Sequence, residues 1–326
     1  MMKSRIILLI CICLFTLPVF AQDNGRYVEP EALADPEGAF TEVDGLQIYY
    51  IEMGDTDDPT VILVHGFAGS TFTWRDTIAP LVEAGYHVVA LDLPPFGLSD
   101  KAIPEDYTRS SMAATLAGLM DTLEIESATL VGHSMGGGVI AQFAIDYPQR
   151  VEKLVFVDGA VYIPPEKPDV EATEEARLTG DNPLSFLSRF DPQSPLSAAA
   201  LRTFITPEVF NEILSNAYHN KSVITSEVQE GYQRPLHIRG WEVGLLTFMA
   251  ANEITENIDI DALRALDVPA LIIWGQEDSW VPLAVGEALA NALPHATLVT
   301  YPETGHMPME ETTEAFLSDL IAFLEG

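Results

Sequence analysis

Cysteine is almost absent from this 326-residue chain, and both copies, Cys11 and Cys13, fall inside the first apolar run. Once that run is removed no thiol remains, which excludes a disulfide framework, a thiol nucleophile and a cysteine metal site. Basic residues are also scarce: 16 Lys and Arg stand against 49 Asp and Glu, for a formal charge of −33. Such a field repels phosphate backbones and anionic lipid, so nucleic acid is not an expected partner. It suits a neutral or cationic substrate, adaptation to salt, or simply a soluble surface. No H-E-x-x-H and no cluster of His and Cys is present, so neither metal nor cofactor is expected. Repeats and low-complexity tracts are missing too. With 48% hydrophobic residues the chain can bury one large core and carry a modest insertion.

Long apolar runs are missing with one exception. Lys3 and Arg5 precede Ile6 to Phe20, and Pro18-Val19-Phe20-Ala21 closes the run with small residues, as a secretory signal peptide does. The run is shorter than the ~20 residues that span a bilayer and is broken by proline, so it is not read as an anchor. Residues 1–21 are therefore expected to be removed, leaving an exported protein, periplasmic or secreted, with no stable membrane anchor. Loss of Lys3 and Arg5 takes the charge from −33 to −35.

Short β-rich runs alternate with helical patterns in the rest of the chain. Phe40 to Val43 and Leu46 to Ile51 flank Asp44-Gly45 as a hairpin. Strands follow at Val61–Val64, His87–Leu91, Ala128–Val131 and Lys153–Val157, with helices predicted near Arg75 to Ala84 and Ser111 to Leu123. Such alternation implies a parallel sheet covered on both faces. From Tyr162 the texture changes, with Pro164, Pro165 and Pro168 opening some ninety residues that hold no convincing buried strand. Thr206-Pro207 starts one helix there, and Gly240 to Ala251 forms another. Strands resume at Ala270–Trp274 and Ala296–Tyr301, with helices from Leu283 to Ala292 and Thr313 to Leu324. The expected units are a core of 22–161 and 253–326 and a helical cap of 162–252.

The chemistry centres on Gly132-His133-Ser134-Met135-Gly136, a Gly-x-Ser-x-Gly pentapeptide between a strand and a helix. A strand turning at once into a helix strains the turn residue, lifts Oγ of Ser134 clear of the sheet and leaves the Met135 N–H facing an oxyanion. A serine hydroxyl needs a base held in one tautomer by a third group. Of seven histidines, His306 alone follows the last core strand in a loop with an adjacent glycine. His65 and His133 read as packing or backbone-bonding residues. For the acid, Asp278 follows a strand end; Glu277 beside it and Asp158 after the sixth strand are the alternatives.

The order Ser134, Asp278, His306, together with His65-Gly66, the Asp92 to Ser99 loop and the long insertion, resembles the α/β-hydrolase fold superfamily in its capped, serine-dependent form. The resemblance implies an eight-stranded, mostly parallel α/β sheet with helices on both faces, its second strand antiparallel. It implies a helical lid between strands 6 and 7, and the Phe67 N–H as second oxyanion donor beside Met135. One departure is Pro94-Pro95-Phe96-Gly97, where many relatives carry glycine at the second position. Tyr232 to Leu236 resembles the lids of haloalkane dehalogenases and epoxide hydrolases, but those use aspartate at the elbow. The expected activity is hydrolysis of a small to medium carboxylic ester through an acyl-enzyme. Carbon–carbon cleavage of diketone-like ring-fission products, perhydrolysis or acyl transfer, and ligand binding without catalysis are the alternatives. The expected partner is a small-molecule ester.

Overall fold

The computed structural model describes residues 27–101, 107–161, 163, 190–251 and 258–326. The expected signal peptide lies outside these residues, as do 164–189 of the expected cap. Strands β1 (Gly38–Val43), β2 (Leu46–Met53), β3 (Thr60–Val64), β4 (His87–Leu91), β5 (Ala128–His133), β6 (Val151–Val157), β7 (Ala270–Gly275) and β8 (Ala296–Tyr301) pair into one sheet. Its order is β1-β2-β4-β3-β5-β6-β7-β8. β2 runs antiparallel to both neighbours, and the other pairings are parallel. Asp44 (φ 50°) and Gly45 (φ 82°) make the first hairpin turn, both in the left-handed region that a two-residue loop requires.

β4, β5 and β7 are buried at every residue because helices cover both faces of the sheet. Helices of the core and insertion are α1 (Arg75–Glu83), α2 (Arg109–Thr122), α3 (Met135–Asp146), α4 (Pro195–Phe204), α5 (Pro207–Ser215), α6 (Ser226–Gln233) and α7 (Trp241–Ala250). After them come α8 (Ile260–Arg264), α9 (Leu283–Ala292), α10 (Pro308–Glu311) and α11 (Thr313–Glu325). The pleat divides the strands: Ile62 and Val64 pack with Leu116, Ile140 and Phe143, while Val61 and Leu63 pack with Trp74, Leu81 and Phe316. The loops after β3, β5, β6, β7 and β8 leave from the carboxyl edge of the parallel strands, where open α/β sheets bind ligands. That edge carries Phe67, Ser134, Asp158, Asp278 and His306.

The hairpin, the strands and α9 lie where the sequence puts them. α2 begins at Arg109, two residues early, because the Thr108 hydroxyl accepts the Ser111 N–H at 2.9 Å. Thr206 caps α5 as expected, accepting from Val209 N. Two cap helices, α4 and α6, were not foreseen. α4 is alanine-rich with no side-chain cap, and α6 is polar and interrupted by Gly231; Ser194-Pro195 and the Thr225 cap were the available signs.

The segment between β6 and β7 is held to the core by buried charges. Glu310 on α10 accepts Arg75 Nη2 at 2.6 Å, the Tyr218 hydroxyl at 2.8 Å and the Tyr232 hydroxyl. Arg234 grips Asp35 through two hydrogen bonds, at 2.7 and 2.9 Å, while Glu242 takes Arg202 at 2.6 Å within the segment itself. Glu310 therefore joins α1, the insertion and the segment just after His306. Removing one partner of a buried ion pair strands the other. Glu310→Ala is expected to lose roughly 3 kcal/mol of unfolding free energy in urea, and Tyr232→Phe about 1 kcal/mol. Losses below 0.5 kcal/mol in both, an order-of-magnitude threshold, would make the cluster incidental.

Candidate active site

Ser134 follows β5 directly with φ 51° and ψ −118°, a conformation that costs a residue with a side chain of order 1–3 kcal/mol. Three backbone hydrogen bonds hold it: Ser134 N donates to Val157 O at 3.0 Å, and its carbonyl accepts Gly137 N at 2.9 Å and Ala160 N at 2.7 Å. The crossing leaves no room beside it. A Cβ on Gly132 would sit 2.5 Å from Gly136 O, and one on Gly136 would sit 2.4 Å from Val64 O. Met135 opens α3, so its N–H is among the first-turn groups that have no partner within the helix.

The loop after β3 abuts the elbow, since a Cβ on Gly66 would lie 2.9 Å from Ser134 Cβ. Its turn closes through Gly69 N to Gly66 O at 3.1 Å, with Ala68 left-handed at φ 54° and Phe67 between them. His65 braces it. Nε2 accepts the Leu93 N–H at 2.9 Å, so Nδ1 carries the proton and donates to Gly66 O at 2.7 Å. Burial lowers the affinity of this ring for a second proton. The departure at Pro94-Pro95 is accommodated: the Asp92 carboxylate accepts Thr71 N and Leu98 N, each at 2.6 Å, and fixes both loops.

His306 and Asp278 come together from the ends of β8 and β7. Nδ1 of His306 donates to Asp278 Oδ2 at 2.6 Å, while Oδ1 accepts Trp280 N at 2.7 Å and Val281 N at 3.0 Å. Burial alone would raise the Asp278 carboxyl, but the charge and hydrogen bond of His306 and the Val281 N–H hold it below its ordinary value. The His306 ring lies 4.7 Å from that of His133 and 5.4 Å from that of Trp280, centroid to centroid. Its Nε2 is buried and has no hydrogen-bond partner among the described residues. Ser134 Oγ is thus not bonded to His306 in this arrangement, although His133, one residue before Ser134, packs tilted at 50° against the ring. Bonds of this kind commonly tighten only when substrate binds.

The alternatives are sorted by the same geometry. Glu277 accepts Thr304 N at 2.9 Å and shapes the His306 loop without touching the ring. Asp158 lies behind Asp278, and the two carboxyls and the His306 ring bring ligand atoms within 4.8 Å of one another. His133 donates from Nε2 to His306 O at 2.8 Å. Burial, with the neighbouring His306, drives its value down to about 3, so this ring is neutral.

Residues 59–313 match the family described as alpha/beta hydrolase fold, and the chain belongs to it. It is therefore a hydrolase with a small-molecule substrate. It is 30% identical over 283 residues to the "Uncharacterized hydrolase YugF" of Bacillus subtilis (strain 168), covering 87% of this chain and 96% of that protein. It is 31% identical over 283 residues to the "2-hydroxy-6-oxononadienedioate/2-hydroxy-6-oxononatrienedioate hydrolase" of Paraburkholderia phymatum, covering 86% and 91%. Among solved structures it resembles a membrane phospholipase A, a bacterial virulence factor, with a TM-score of 0.72, 27% identity, and coverage of 91% of this chain and 88% of that one.

The neutrality of His133 has a sign. Its folded value near 3 lies below the ordinary 6.5, so between these the unfolded chain takes up a proton that the native protein refuses. The stability it confers is complete above pH 6.5 and erodes by about 1.4 kcal/mol per unit as pH falls from 6.5 toward 3. Urea unfolding of wild type and His133→Gln at a series of pH values from neutral to acid measures the slope. The wild type should lose stability more steeply by that amount; equal slopes would assign the acid loss to other groups.

Proposed function

We infer that the protein is a serine hydrolase of small to medium carboxylic esters. In this mechanism His306 takes the proton from Ser134 Oγ as the oxygen attacks the ester carbonyl. The tetrahedral oxyanion is held by the Phe67 and Met135 N–H groups, one such donor contributing ~3 kcal/mol in the transition state. His306 then protonates the leaving alcohol, and an acyl-enzyme remains. Water, deprotonated by the same ring, releases the acid and restores the serine. Asp278 fixes the tautomer and stabilises the imidazolium. The observation that carries this reading is the buried His306–Asp278 pair at 2.6 Å, with Nε2 unpartnered beside a serine in a left-handed elbow. The insertion serves as lid, and its Phe248 closes on Phe67 and Phe96 at 5.4 and 5.0 Å, which supports an apolar acyl group. The leader expected at residues 1–21 supports the reaction taking place after export.

Carbon–carbon hydrolysis of ring-fission products is the second reading, favoured by relatives whose names describe such substrates. Those names denote carboxylate anions, which a chain of charge −33 attracts poorly. The ester is preferred on that ground, and the likeness to a phospholipase A agrees with it.

A chromogenic acyl-ester series, acetyl to palmitoyl, tests the assignment. Wild type should show a chain-length optimum, Ser134→Ala should lose roughly 10⁶-fold in kcat, and Asp278→Asn roughly 10⁴-fold. Turnover of a 2-hydroxy-6-oxo-dienoate in preference to every ester would establish the second reading instead. Undiminished ester turnover by Ser134→Ala would remove the serine from the mechanism.

A further inference from the structure

Asp158 has no part in the mechanism above, yet it is 0% exposed and sits against its acid. It directly follows β6 with φ 44°, its N–H bonded to Ile273 O at 2.9 Å, and this turn directs the side chain toward the end of β7. There Oδ1 accepts the Gly275 N–H at 3.1 Å. Oδ2 is fully buried, and among the described residues no donor group reaches it. What it faces is the Asp278 carboxyl, and two carboxylates can share a hydrogen bond only when one carries a proton. The groups around the pair decide which. Asp278 receives two backbone N–H groups and the His306 ring, whereas Asp158 receives one N–H. The other titratable neighbours do not help Asp158 ionise: His133 is neutral, and Glu311 on α10 is a further negative charge.

We propose that Asp158 is a permanently protonated positioning residue whose carboxylic acid donates a hydrogen bond to the Asp278 carboxylate and so limits how strongly that carboxylate binds the His306 proton. Burial and repulsion by Asp278 both push the Asp158 carboxyl well above its usual range, in keeping with this. The donated bond spreads the negative charge of Asp278. With less charge facing it, the imidazolium formed during the reaction gives its proton up more readily to the leaving group. The role rests on Ser134, His306 and Asp278 acting together as described.

The test reads the His306 titration by NMR, with the ring carbons labelled and assigned through His306→Asn, in wild type, Asp158→Asn, Asp158→Ala and Asp158→Leu. Asn still donates and should leave the titration in place. Ala and Leu cannot donate, and should raise it by about one pH unit. The acid limb of kcat/KM should move to higher pH with it, because the ring must be neutral to act. In wild type, the labelled aspartate carboxyl resonance lost in Asp158→Asn should stay at its protonated position throughout the range in which an ordinary aspartate has become a carboxylate. A fall in the His306 titration in all three variants would mean that Asp158 is ionised, and would overturn the proposal. So would no shift in any, which would reduce Asp158 to filling space. Both NMR readouts work on a protein that cleaves no ester, so the hydrolase reading can fail without deciding this one.

Discussion

The site depends on one backbone angle. At Ser134 the chain leaves β5 with a positive φ and enters α3, and the nearest strand and helix are close enough that two glycines are obligatory. That single turn orients the hydroxyl, starts the helix whose first N–H groups are free, and aligns Ser134 with the loop after β3. The strain is local, but what offsets it is spread over β6 and the loop beyond, through Val157 and Ala160. The sheet is thus more than a platform. Its central strands hold a conformation that no isolated loop would keep.

Most of this was legible in the sequence because the signals were local and redundant. Short, largely apolar and β-branched runs of four to six residues located the parallel strands, Asp44-Gly45 the hairpin, and Gly132 to Gly136 the elbow. Asp278 and His306 could be singled out because both follow strand ends, and the structure joins them. What escaped was governed by tertiary contact. α4 and α6 have weak intrinsic signals and exist because the insertion packs on the core. The Glu310 cluster draws one residue from each of several distant segments, with no spacing to betray it. Asp158 was visible as an alternative to Asp278; that the two stand together is a property of the sheet order, in which β6 and β7 are neighbours.

Charge behaves differently at the surface and at the site. Outside, a large excess of carboxylates is hydrated and screened within about 8–10 Å at ordinary ionic strength. Inside, His65 and His133 are neutral rings used as hydrogen-bonding struts, each with its direction set by a backbone partner. These buried rings therefore respond to their immediate neighbours and little to the acidic exterior. This separation lets a strongly acidic protein hold neutral imidazoles beside its candidate site.

The Glu310 cluster has a consequence for the modularity of such proteins. An insertion between two strands looks like a cassette that could be exchanged to change specificity while the catalytic framework stays. Here Tyr218 and Tyr232 share a carboxylate with Arg75 only four residues beyond His306, and the His306 N–H itself donates to Ala217 O at 2.7 Å. The cassette and His306 are one mechanical piece. A transplanted cap would have to bring its own pair of hydroxyls, or the recipient would keep a buried acid and arginine with half their partners gone.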